Sequence, residues 1–278
     1  MKIIFIADFF ADQVLGGGEL NNEELINNLN SQGHEVTKIN SHNVTRNFIE
    51  TNRQNAFIVA NFINLSLECI TSLYDKKYLI YEHDHKYLTG RNPGIHQDFK
   101  APEGDLINVG FYRKASAVLC QSQFHKDIIS KNLSEVNLIS LSGNLWSESS
   151  LKFMEKIAKT EKADRYSIMD SPIEHKGTRE AVGYCEYKNY DYDLISSDSY
   201  EEFLSMLGRN NTLVFFPKTP ETLSRIVVEA RMMGMGVIVN KMIGATREEW
   251  YKQKGPALIK TIRSKREEIT NTVIGALK

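Results

Sequence analysis

The chain has 278 residues, 41% of them hydrophobic and 25% charged, which suits a globular protein of two ordinary domains better than a single core. Its 34 lysines and arginines nearly cancel 35 aspartates and glutamates, so no global field draws it toward nucleic acid or a membrane surface. Three widely spaced cysteines, Cys69, Cys120 and Cys185, give neither a disulfide framework nor paired metal ligands, and imply reduced thiols in a cytoplasm.

The apolar opening is interrupted by Asp8 and Asp12, so residues 2–7 read as a buried strand rather than an export signal. No later stretch approaches the roughly 20 apolar residues needed to span a bilayer. Gly16-Gly17-Gly18 follows. Residues 19–31 then place Leu20, Leu25, Ile26 and Leu29 at helical spacing, and Gly33 ends that helix. Strands are expected at 35–39, 56–60, 78–81 and 117–120, then a helix over 123–131 capped by Ser122, then a strand at 138–141. Short apolar runs alternating with helical stretches predict parallel α/β units.

The alternation breaks at 144–150, where Gly143-Asn144 and a serine-rich run mark a domain boundary. Beyond it come a strand at 165–169, a helix after Gly177, a strand at 192–196, a helix at 200–207 and a strand at 212–216. A helix bearing Glu221 and Glu229 and a strand at 237–240 follow, and residues 257–278 form a long amphipathic segment.

Four places carry chemistry. Gly16, Gly17 and Gly18 lie between a strand and a helix, where a backbone without Cβ atoms can approach a phosphate. Their spacing is not that of the dinucleotide fingerprint. Tyr81-Glu82-His83-Asp84-His85 is the densest polar cluster; its His-x-His could bind zinc, but a closed site needs further ligands that no spacing supplies. Lys176-Gly177 precedes a helix on the first loop of the second domain. Glu221 stands at an expected first helical turn, where an acid also suits the helix dipole, and Glu229 sits between Val228 and Ala230, a costly place for an unpaired charge. In an open parallel sheet, ligands bind beyond the carboxyl ends of the strands. Carboxylates there accept hydroxyl hydrogen bonds, so a polyhydroxylated ligand with an anionic middle fits, and a nucleotide sugar is such a ligand. The Gly/Pro-rich loop between Thr89 and Asp105 suits an acceptor-binding or lid element.

Phe215-Phe216-Pro217, Glu221, Glu229-Ala230, Gly234 and Val237-Ile238 fall in register with a signature that resembles that of the retaining glycosyltransferases of family 4, which have the GT-B fold. At the other end of the chain, Gly16 to Glu19 followed by Gly33-His34-Glu35-Val36-Thr37 is similar to the opening of the same family, and Ala115 to Ser122 to its strand and helix cap. Four positions depart from the pattern. Leu223-Ser224 stand where the family has Phe-Gly, Gly236 stands where it has proline, and Ser171 stands where it has an arginine for the diphosphate. Arg179 and Arg225 are the cations that could substitute.

The resemblance implies an α/β protein of GT-B architecture: two Rossmann-like domains with parallel sheets facing across a cleft, and a C-terminal helix crossing back to the first. The expected divisions are an acceptor-side domain over 1–146, a nucleotide-sugar domain over 147–256 and the helix over 257–278. By the same resemblance Glu229 binds ribose hydroxyls, and Glu221, aided by the N–H groups of Thr222 and Leu223, binds the transferred hexosyl group. Lys176 and the loop of Gly16, Gly17 and Gly18 neutralise the departing diphosphate. His83 orients the sugar and Asp84 contacts the donor, with His85 as a neighbouring alternative. Replacing Glu229 by alanine is expected to abolish or severely weaken donor binding and to spare the fold. Neither a metal nor a cofactor is implied, the nucleotide diphosphate sugar being a substrate. The acceptor would be a glycan, lipid or small molecule, and near-zero net charge disfavours modified DNA. A catalytically silent nucleotide-sugar-binding protein and a GT-B sugar-nucleotide epimerase are the alternatives. Residues 195–200 are where base recognition is expected.

Overall fold

In the computed structural model, which describes residues 1–278, the chain divides into two units, residues 1–145 with 265–278 and residues 146–264. No helix is long and apolar enough to cross a membrane.

The first unit contains β1 (Lys2–Ala7), α1 (Gly17–Ser31), β2 (Glu35–Asn40), α2 (Arg46–Thr51), β3 (Ala56–Val59), α3 (Leu67–Leu73) and β4 (Tyr78–Tyr81). It continues through α4 (Val109–Lys114), β5 (Val118–Cys120), α5 (Gln123–Asn132) and β6 (Leu138–Ser140). The strands form one parallel sheet in the order β2-β1-β3-β4-β5-β6. Side chains alternate between its two faces, and both faces are buried. Ile4, Ile6, Phe57, Val59, Tyr78 and Ile80 enter one core; Ile3, Phe5, Ile58, Leu79 and Tyr81 enter the other. Burial on both faces is why β1, β3 and β4 read as continuous apolar runs. The sheet edge β2 is more exposed and more polar.

The second unit contains α6 (Glu148–Ile157), β7 (Ala163–Met169), α7 (Thr178–Lys188), β8 (Tyr192–Ile195), α8 (Tyr200–Leu207), β9 (Asn210–Phe215), α9 (Arg225–Met232) and β10 (Gly236–Val239). Its sheet is also parallel, in the order β10-β9-β7-β8. The last helix, α10 (Pro256–Ala276), supplies Leu258, Ile259 and Ile262 to the core of this unit. Residues past 265 give Ile269, Val273, Ile274 and Leu277 to the core of the first.

Several boundaries differ from expectation. The serine-rich stretch at the expected boundary starts α6, whose first turn is capped by the Ser147 hydroxyl accepting from the Ser150 N–H at 3.0 Å. Helices α2, α3 and α4 are short and carry too few apolar positions to show a helical period, although Thr45 and Ser66 cap two of them. Helix α1 starts at Gly17, so two of the three glycines belong to its first turn. The largest correction concerns Glu221, which is not helical. It forms an isolated parallel bridge with Ile243, and α9 begins only at Arg225. The cause is Ser224, which takes a left-handed conformation (φ 76°) that no helix continues through.

Strand order fixes where each sheet can hold a ligand. In the first sheet the order reverses between β1 and β3, and in the second between β7 and β9. Loops leaving two such strands diverge to opposite faces and leave a crevice at their carboxyl ends.

Candidate active site

At the reversal point of the second sheet, the loop after β7 carries Lys176 and the loop after β9 carries Glu221. The first loop is tied down by Thr178, whose hydroxyl donates to the Met169 carbonyl at 2.8 Å and accepts from the Ser171 N–H at 3.2 Å. Gly177 ends it with φ 72°, and a Cβ there would collide with the carbonyl oxygen of Phe216. Only glycine permits that approach, which brings the Lys176 backbone against the end of β9. The Lys218 N–H donates to the His175 carbonyl at 2.8 Å and completes the junction.

The backbone of Glu221 is held as firmly. Its N–H donates to the Met242 carbonyl at 2.8 Å, its carbonyl accepts from Gly244 at 2.9 Å, and the Leu223 carbonyl accepts from Ala245 at 2.9 Å. Asn240 braces the neighbouring turn, donating to the Pro217 carbonyl at 2.8 Å. The side chain of Leu223 is fully buried, which anchors the segment that Thr222 shares. Lys176 Nζ then reaches Oε1 of Glu221 at 2.8 Å. A cation and a carboxylate, each partly exposed, thus meet where the sheet topology opens.

Glu229 lies on α9 and is 3% exposed. Its Oε1 accepts from Trp146 Nε1 at 2.9 Å and from the Tyr200 hydroxyl at 2.6 Å, and Arg225 Nε lies 3.4 Å away. The Arg225 guanidinium covers the Trp146 ring at 4.3 Å from its centroid, and its Nη2 donates to the Tyr200 oxygen at 3.3 Å. Burial and the adjacent Glu229 carboxylate raise the Tyr200 phenol above its ordinary range, which keeps it a donor. Arg225 is therefore committed to Glu229. Arg179, the other cation considered for the role left by Ser171, is exposed on the first turn of α7. Lys218 is engaged by Glu174 at 3.1 Å and Glu180 at 2.9 Å.

In the first unit, Gly16 caps α1 in an extended conformation, and a Cβ there would strike the Glu19 carboxylate, which folds back over it. Burial raises the Glu19 carboxyl above its usual range. Gly18 packs under the His83 ring. His83 Nε2 lies 2.6 Å from Asn22 Oδ1, and the Gln121 amide reaches Nδ1, an arrangement that puts the ring proton on Nε2. Asp84 is paired with Lys86 and, at 3.0 Å, with Arg91. Burial opposes its charge, but the two cations outweigh it and hold its carboxyl below the usual range.

Beneath Asp84 lies a buried cluster. Glu82 Oε1 accepts from Lys86 Nζ at 3.2 Å and from the Asp84 N–H at 3.0 Å, while the Tyr112 hydroxyl donates to Oε2. Burial pushes the Glu82 carboxyl up to about 7 against the pull of Lys86. His85 points into the interior, edge-on to Tyr87 and His125, and burial lowers it to about 4. A neutral, 2% exposed imidazole cannot serve as the alternative ligand contact, which corrects that expectation.

Asp8, at the end of β1, closes the reversal point of the first sheet. It accepts from the Ile63 N–H at 3.0 Å and the Asn64 N–H at 3.1 Å, with the Ser41 hydroxyl as a third donor.

Lys176 with Glu221 share one place in the second unit, Glu229 is set by its own frame, and Gly18 with His83 share one place in the first. Trp146, Lys86, Asn22 and Gln121 are not predicted at these places from sequence, and Tyr200 is marked only as the end of the stretch expected to read the base. Trp146 left one signal, a large apolar residue inside an otherwise polar, serine-rich boundary.

Neither a protein-family model nor a curated protein sequence matches the chain. Solved structures do. HepE of Anabaena, solved with UDP and glucose, matches with a TM-score of 0.56 at 13% identity, over 99% of this chain and 92% of that one. An alpha-glucosyltransferase solved with UDP and a 13-mer DNA containing an HMU base gives 0.50 at 11% identity, over 97% and 95%. The UDP-GlcNAc 2-epimerase of Methanocaldococcus jannaschii, solved with UDP-GlcNAc and UDP, gives 0.50 at 12% identity, over 97% and 92%. These likenesses identify the fold as GT-B, built on two Rossmann-like domains.

Proposed function

We propose that the chain is a retaining glycosyltransferase that moves a hexosyl group from a nucleoside diphosphate sugar to a hydroxyl acceptor. The observation that carries this reading is the meeting of Lys176 and Glu221, 2.8 Å apart, at the reversal point of the second sheet. A diphosphate needs a cation and a hexose needs a hydroxyl acceptor, and these two side chains supply both side by side. The Rossmann-like fold, shared with proteins solved with UDP or UDP-sugars, makes UDP the first base to test.

Negative charge develops on the leaving phosphate as the glycosidic bond breaks. A fixed ammonium at Lys176 lowers that barrier because it is already oriented when the charge appears. Glu221, with the N–H groups of Thr222 and Leu223 beside it, receives hydroxyls of the hexose, and Glu229 receives those of the ribose. The same reading gives Gly16, Gly17 and Gly18 to the diphosphate, although the Glu19 carboxylate covers Gly16, and it gives His83 and Asp84 to the sugar. His83 has Asn22 as the partner it exchanges for a sugar hydroxyl. No metal enters these assignments.

The test is a panel of UDP-, GDP- and ADP-sugars read by thermal shift, then by product analysis with and without candidate acceptors. Binding at one hundred times Kd stabilises the folded state by about 2.7 kcal/mol. Absence of any shift at millimolar concentration with all three bases overturns the reading. The match to an epimerase fold favours a second reading, and donor incubated alone separates the two: an epimerised nucleotide sugar with no transfer product identifies an epimerase.

A further inference from the structure

The carboxylate of Glu229 is held asymmetrically. Trp146 arrives from the residue before Ser147, the cap of α6, Tyr200 from the first residue of α8, and Arg225 from one turn earlier on α9. All three address the same atom, Oε1, at 2.9, 2.6 and 3.4 Å respectively. The donors are also locked to one another: the guanidinium lies on the indole face and donates to the phenol oxygen. A carboxylate oxygen has two lone pairs in the plane of the group, so the indole and phenol donors fill those of Oε1, and the Arg225 cation pairs with the same oxygen from the side. Rotation of the carboxylate would break all of these contacts at once in a buried place, where each unmade hydrogen bond costs the most. Oε2 is therefore fixed in one direction and takes part in none of these contacts.

We propose that Trp146, Tyr200 and Arg225 are positioning residues that dedicate Oε1 to the protein and Oε2 to the vicinal 2′- and 3′-hydroxyls of the donor ribose, making the site selective for ribonucleotides. The inference rests on the nucleotide-sugar reading above and adds the source of its sugar discrimination. One aimed oxygen rewards a ligand that places two hydroxyls around it, and a ligand lacking them leaves a desolvated carboxylate oxygen unpaired. Arg225 thereby acts through Glu229, which explains why it does not replace the diphosphate cation missing at Ser171.

The experiment measures Kd by calorimetry for UDP, GDP and ADP and for their 2′,3′-dideoxy counterparts, in wild type, Tyr200→Phe and Trp146→Phe. Wild type should prefer the ribonucleotide of the base it binds by about tenfold or more. Tyr200→Phe removes one donor from Oε1 and frees the carboxylate to turn, so ribonucleotide affinity should fall about fivefold to tenfold while dideoxynucleotide affinity stays unchanged. Trp146→Phe should shift the same ratio in the same direction. A parallel loss for both nucleotides in each variant marks a merely structural role and overturns the inference alone, as does an unchanged ratio. If wild type binds none of the three ribonucleotides, the nucleotide-sugar reading fails and this inference fails with it.

Discussion

Lys176 and Glu221 neutralise each other across 2.8 Å although they stand on loops leaving different strands, separated in sequence by α7, β8, α8 and β9. On the proposed reading, this pair holds the diphosphate and the hexose of the donor. Lys176→Ala should therefore slow transfer by about 10²-fold or more at saturating donor, because the lost charge is one that the transition state uses most. Single-turnover rates with a nucleotide sugar and acceptor check this, and wild-type turnover in the variant removes Lys176 from the mechanism.

Glu229 should be probed by glutamine rather than alanine. The expectation that removing its carboxylate spares the fold overlooks Arg225, whose side chain is 10% exposed and pairs with it. Glu229→Ala leaves a buried cation uncompensated, at a cost of about 3 to 5 kcal/mol. Glu229→Gln keeps the volume and one acceptor oxygen. It should weaken ribonucleotide binding about tenfold or more while costing less stability than alanine, as urea unfolding of the two variants would measure.

How much of this was legible from residues alone follows from where the information sits. Burial of both faces made β1, β3 and β4 visible as apolar runs, and the turn requirement of Gly177 made the Lys176 loop visible as a motif. Glu221 is visible in the sequence but reads as helical, because acids spaced like Glu221 and Glu229 suit a helix as well as a loop joined to one. The frame around Glu229 was not legible. Trp146, Tyr200 and Arg225 come from three elements and meet only after the second core has formed. Lys86 was hidden for the same reason: a lysine next to Tyr87 reads as surface, yet it is 1% exposed between Glu82 and Asp84.

Ser224 occupies a backbone position that favours glycine. Its φ of 76° is a left-handed value, and its buried hydroxyl has no hydrogen-bond partner. Left-handed serine and an unsatisfied buried hydroxyl each cost on the order of 1 kcal/mol or more, while glycine loses some of that gain through the greater freedom of the unfolded chain. Ser224→Gly should stabilise the second unit by about 1 kcal/mol, seen as a higher urea midpoint with an unchanged slope. A lower midpoint would mean that the serine holds the start of α9 in a way its backbone conformation does not reveal.

Acid should weaken the first unit through its interior histidines. His85 is buried beside His125 and Lys86, with Asp84 giving partial support to its charged form, and burial lowers it from 6.5 to about 4. Burial lowers His125 well below its ordinary value too. The unfolded chain takes up these protons below pH 6.5 and the folded chain does not, so stability is lost as pH falls from 6.5 toward 4. For His85 the gap corresponds to about 3 kcal/mol. Glu82 acts in the opposite sense: its raised carboxyl, about 7 against 4.5 unfolded, favours the folded state as pH falls through that interval and offsets part of the loss. His85→Phe keeps the ring and removes one titration while leaving Glu82 in place. Urea unfolding at pH 7 and pH 5 should show a smaller acid loss in this variant than in wild type, and equal losses would place the acid sensitivity elsewhere.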